Sequence, residues 1–105
     1  MAINPWIAVM LDRIVKGFHP LRVVLFGSYA RGEAGRDSDI DLLVVLPHVS
    51  DKRKLAVQIR RALTDIPAPK DIIVTTPEEI ARRGNIVGTV LRPALREGKV
   101  LYERT

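Results

Sequence analysis

The chain has 105 residues, of which 47% are hydrophobic, 28% charged and none cysteine. That is enough for one core but not two, so a single domain over residues 1–105 is expected. Disulfides and thiolate metal sites are excluded, and no apolar run approaches the roughly 18 residues of a membrane span.

Seventeen lysines and arginines stand against twelve acidic residues, for a net charge of +5. This favours a polyanionic ligand or an acidic partner. The basic residues are scattered, apart from "DKRK" and the arginine pairs at 60–61 and 82–83, and read equally well as a solvated surface. The N-terminal stretch carries Asp12 inside its apolar run and no small-residue cleavage site, so it reads as mature sequence, and a cytoplasmic location is expected.

Asn4 followed by Pro5 predicts an N-cap and a first helical position. Trp6, Ile7, Met10, Ile14 and Phe18 recur at three- and four-residue spacing, which predicts an amphipathic helix over 5–16, stopped near Gly17. His19-Pro20 breaks the chain before a strand over 21–26. A charged, glycine-containing segment leads to a second strand over 40–46, ended by Pro47. Ser50 is expected to cap a helix over 51–65, with Leu55, Ile59, Ala62, Leu63 and Ile66 on one face. "IPAPK" links it to a third strand, 71–75. Thr76-Pro77-Glu78-Glu79 then combines a capping threonine, a first-position proline and a glutamate three residues after the cap. A helical piece over about 86–97 ends at Gly98, and "KVLYE" (99–103) forms the last strand. Strands alternating with helices predict an α/β (α+β) fold, a sheet of about four strands flanked by helices.

Two features carry chemistry. Alternate side chains of a strand share a face, so Asp39 and Asp41 point together, roughly 7 Å apart, while Ile40 and Leu42 turn the other way. Buried carboxylates are unfavourable unless paired or bound to a cation, and hard divalent ions prefer oxygen ligands. Taken alone, "DSD" also reads as a polar turn. Fourteen residues before Asp41, "RVVLF" runs into Gly27-Ser28, and "SYAR" can start a short helix. Glycine there lets backbone amides approach an anion, and a helix N-terminus attracts one; a plain turn is the bland alternative. Other readings fail: "GSYARGEAG" lacks the lysine of a P-loop, Ser28 lacks the flanking glycines of a nucleophile elbow, and His19 and His48 adjoin prolines and read as structural.

Together, "LFGS", the ten residues Tyr29 to Ser38, and "DID" resemble the nucleotidyltransferase superfamily that includes DNA polymerase beta. "GSYARGEAGRDSDIDLLV" is especially similar to the minimal nucleotidyltransferases, small prokaryotic proteins of about this length. The resemblance implies a nucleotidyltransferase fold with a mixed sheet. It implies two Mg²⁺ ions held by Asp39, Asp41 and a third carboxylate on a later strand. Asp71 is the natural match, the alternative being a strand-end charge paired with Lys70. Glu78 and Glu79 are explained by the helix cap, and Asp65 reads as a surface residue. Gly27 and Ser28 would hold the triphosphate tail of ATP or another nucleotide, Arg31 would offset its charge, and Asp71 would lie beside the attacking hydroxyl. Arg36 and Asp37 receive no role.

The resemblance further implies an antitoxin paired with a small helical HEPN protein, acting by transfer of AMP to it, by tight binding, or both. Two other readings stay open: a transferase acting on an aminoglycoside-like small molecule with a second subunit, and a non-catalytic binding subunit. Nothing in the sequence supports nucleic-acid binding, since Tyr29 and Tyr102 are isolated and no aromatic–basic stacking pattern is present. The first helix, with Trp6, and the last strand could serve as interfaces or as core.

Overall fold

The structure is a computed structural model and describes residues 4–35, 37–84 and 91–104. Helix α1 (Trp6–Phe18) is followed by β1 (Arg22–Phe26), α2 (Gly27–Arg31), β2 (Ile40–Val45), α3 (Lys52–Ala62), β3 (Lys70–Thr75), α4 (Pro77–Arg83), α5 (Leu91–Glu97) and β4 (Lys99–Glu103). The strands form one mixed sheet in the order β3-β2-β1-β4. β1 is antiparallel to β2 and β4, whereas β2 and β3 are parallel and joined through α3. A parallel pair requires such a crossover.

Strand alternation divides the core into two layers. On one face Val23, Leu25, Leu42, Val44, Ile72 and Val74 pack with Met10 and Ile14 of α1 and with Ile59, Leu63 and Ile66 in and after α3. On the other, Val24, Leu43 and Val45 pack with Leu91 and Ala94 of α5, flanked by Phe26, Ile73, Ile80 and Leu95. Every residue from Leu42 to Leu46 is buried, as expected of a strand covered on both faces. Each such side chain contributes roughly 1.5–3 kcal/mol, which anchors β2.

Several boundaries differ from the expected ones. α1 continues through Gly17 to Phe18, and His19 (φ 51°) ends it in the left-handed region, its N–H donating to the Val15 carbonyl. An interior glycine costs only about 1 kcal/mol, and Phe18 packs against the core. The carbonyl-side oxygen Oδ1 of Asn4 accepts from the Trp6 N–H at 2.9 Å, although Pro5 occupies the cap position.

Asp51, not Ser50, caps α3, accepting from the Lys54 N–H at 3.0 Å. That helix stops at Ala62 because the Thr64 hydroxyl bonds the carbonyls of Arg60 and Arg61 and the chain turns. Thr76 caps α4 through the Glu79 N–H at 3.1 Å. Of the helix expected over 86–97, residues 91–97 are helical and 86–90 lie outside the described residues. Trp6 is 36% and Val100 54% exposed, so the proposed interface elements do carry open apolar side chains. Among the described residues no helix is long and apolar enough to cross a membrane.

Candidate active site

Asp41 shares its face of the sheet with Leu43 and Val45, the side covered by α5. The parallel register sets Asp41 directly beside Asp71, on strands about 4.8 Å apart. Asp39 immediately precedes β2. The three carboxylates therefore meet at one corner of the sheet, at the N-terminal ends of two neighbouring strands. Asp41 is half-buried, Asp39 exposed, and the Asp71 side chain 46% exposed.

The antiparallel partner strand brings in the second part. Phe26, the last residue of β1, is opposite Asp41, so the following residue, Gly27, meets the carboxylate. Gly27 has φ +71°, and a Cβ built on it would lie 2.1 Å from Asp41 Oδ2. Only glycine satisfies both the backbone conformation and the approach.

Helix α2 starts at this glycine, with half-buried Ser28 in its first turn. It ends at Gly32 (φ +73°), whose N–H turns back to the carbonyls of Ser28 and Tyr29. Arg31 projects from the same turn, but its guanidinium donates to Glu33 Oε1 at 2.6 Å and approaches Glu97 at 3.9 Å.

Burial raises the pKa of Asp41, and the charges of Asp71 and Asp39 raise it further, with Arg31 offsetting part of the effect. Among the described residues no ion pair is formed by Asp39 or Asp41. Asp71 is paired, with Arg60 Nη2 3.2 Å from its Oδ1. The expected alternative partner, Lys70, donates instead to the Ile66 carbonyl. Hard oxygen donors that repel one another fit a divalent cation. In their present positions, however, no three carboxylate or imidazole side chains among the described residues are gathered closely enough to hold one ion.

The nucleotidyltransferase domain family matches residues 9–99 of this sequence, a span that includes all six expected site residues. The chain belongs to that family. Over 37 residues this nucleotidyltransferase domain is 46% identical to a candidate protein adenylyltransferase of Methanocaldococcus jannaschii, a match spanning 32% of this chain and 37% of that relative.

Two solved structures share the fold. A candidate nucleotidyltransferase from Sulfolobus solfataricus is 23% identical, with a TM-score of 0.64 over 91% of this chain and 76% of that one. The other is a tri-AMPylated Shewanella oneidensis HEPN toxin in complex with its MNT antitoxin. It is 23% identical, with a TM-score of 0.52 over 92% of this chain and 72% of that one.

The remaining acidic residues and histidines take other places. Asp65 pairs with Arg13 on the surface. Glu79 accepts from the buried Thr75 hydroxyl at 2.5 Å and pairs with Lys52. His19 and His48 are exposed at turns. Arg36 lies outside the described residues. The sequence reading missed three neighbours of the site, namely Arg60, Glu33 and Glu97. Only Glu33 left a local signal, being two residues from Arg31.

Proposed function

We propose that this domain transfers AMP from ATP to a hydroxyl of a partner protein in the cytoplasm, in metal-dependent fashion, as the antitoxin of a HEPN-type toxin–antitoxin pair. The observation that carries the reading is the packing of Asp41 against a side-chain-free Gly27 with Asp71 in register beside it. That arrangement supports reading Gly27 as a point of phosphate approach beside a set of cation ligands. The adenylyltransferase relative and the AMPylated toxin complex support AMP as the transferred group and a helical toxin as its acceptor.

Gly27 and Ser28 would hold the triphosphate tail through backbone N–H groups and the serine hydroxyl, and Arg31 would offset its charge once released from Glu33. Asp39, Asp41 and Asp71 would hold two Mg²⁺ ions. When bound, these supply charge neutralisation for the attacking and leaving oxygens. Asp71 would accept the proton of the acceptor hydroxyl as its oxygen bonds to the α-phosphorus. The bond from that phosphorus to the bridging oxygen then breaks, and pyrophosphate leaves. Residues 1–105 would form one catalytic domain, which relies on the partner for the acceptor.

Asp41→Asn preserves shape and removes a charge. In cells producing both proteins, wild type should label the partner with radiolabelled ATP in a Mg²⁺-dependent manner, and Asp41→Asn should not. Undiminished labelling by the variant would sink the assignment.

A further inference from the structure

Asp71 lies on β3, the edge strand of the sheet. Its side chain faces the α5 side, like Ile73 two residues on. Helix α3 packs on the opposite face, where Ile59 and Leu63 join the core with Ile72 and Val74. Arg60 follows Ile59 in the last turn of α3, and its guanidinium nevertheless reaches Asp71 Oδ1 at 3.2 Å. It does so near the start of β3, which among the described residues is an edge strand. The same topology sets the end of α3 beside the start of β3.

This contact has a consequence for the site. Asp39 and Asp41 have no cation partner among the described residues, whereas Asp71 has one. The positive partner thus sits on the carboxylate whose charge bears more strongly on Asp41 than that of Asp39 does. A divalent ion on Asp71 would sit within a few ångströms of that guanidinium, and like charges at such distances repel appreciably even when solvated. Arginine suits the role because its planar fork engages a carboxylate and stays charged at every working pH.

We propose that Arg60 is the resident counter-ion of Asp71 and that divalent-ion binding displaces it, so that Arg60 sets the ion affinity of the site. This rests on the functional reading above, in which the three carboxylates are the ion's ligands. Arg60 touches neither substrate nor reacting atoms in that reading; it is a positioning residue.

The test is a Mn²⁺ titration of the full chain without nucleotide, followed by the loss of free-ion EPR signal. Arg60→Gln keeps a hydrogen-bonding side chain and removes the charge, and it should bind Mn²⁺ about three- to tenfold more tightly than wild type. Arg60→Lys keeps the charge and should stay within twofold of wild type. Asp41→Asn reports on the site itself and should weaken binding at least tenfold.

Should Asp41→Asn weaken binding while Arg60→Gln leaves it unchanged or weaker, the counter-ion assignment is overturned and the functional reading stands. Should Asp41→Asn leave it unchanged, the ion lies elsewhere and both are overturned. Both arginine variants alter a half-exposed side chain, so their folding is not at issue.

Discussion

Gly27 and Gly32 form a natural experiment, because both have φ near +70° but only one faces a proposed cation ligand. A Cβ on Gly32 would meet nothing within 4 Å, whereas a Cβ on Gly27 would fall 2.1 Å from Asp41 Oδ2. Alanine at either position carries the left-handed backbone penalty of about 1–2 kcal/mol, which lowers Tm by roughly 5–15 °C in a domain of this size. Since the clashing atom is the end of a side chain, Gly27→Ala can relieve the overlap by turning the Asp41 carboxylate away. The two variants should therefore be similarly destabilised.

Their activities should differ. To restore ordinary contact the carboxylate must retreat by roughly 1 Å, and misplacement on that scale costs on the order of 100-fold in rate. Gly32→Ala should keep transfer within a few-fold of wild type below its melting temperature. Thermal denaturation gives the first comparison, and the initial rate of partner labelling from radiolabelled ATP, measured well below the Tm of either variant, gives the second. Transfer by Gly27→Ala within tenfold of Gly32→Ala would refute the claim that this glycine exists to admit Asp41.

Further outcomes follow from the charges. The raised pKa of Asp41, due first to burial and then to Asp71 and Asp39, means that its protonated form favours the ion-free fold. That stabilisation is complete below the unfolded pKa and disappears as pH rises through the folded one. Asp41→Asn should accordingly gain Tm over ion-free wild type as pH rises across this window, and a constant difference from acid to neutral pH would contradict the assignment. At the far end of the sheet Glu79 has the opposite sign. Burial would raise its pKa, but hydrogen bonds from Lys52 and Thr75 outweigh this and hold it low. Its stabilisation is present above the unfolded pKa and lost as pH falls through the folded value. Glu79→Gln should cost about 1–2 kcal/mol at neutral pH, read from urea midpoints, with the gap closing in acid and partner labelling unchanged.

The parts of the site written in one continuous stretch were legible from sequence. A strand running into Gly27-Ser28 and a second opening at Asp41 are local patterns, and period-2 alternation alone puts Asp41 on the face opposite Ile40. The Thr76 cap was readable because threonine, proline and glutamate agree on one helix start. Ser50 and Asp51 are both capable caps at adjacent positions, and the choice depends on how α3 must sit to drop Ile59 and Leu63 into the core. Strand order was not legible. Nothing local to β3 says where the end of α3 comes to rest beside it, so the contact of Arg60 with Asp71, eleven residues away, had no sequence signal.

The placement of the carboxylates follows from where the sheet can tolerate them. Like charges side by side on neighbouring strands are destabilising by a few tenths to about 1 kcal/mol, and half-burial of Asp41 adds to this. Directly behind Asp41, Leu42 to Leu46 are all buried, so β2 is held by several times that energy and cannot shift register to relieve the repulsion. A one-residue slip would turn Asp41 into the α1–α3 core. The repulsion is thus confined to the side chains, where a cation can answer it. Arg60 offers a positive charge to one of the three carboxylates from the end of α3. The stability of the strand and the crowding of its carboxylates are for this reason two results of the same register.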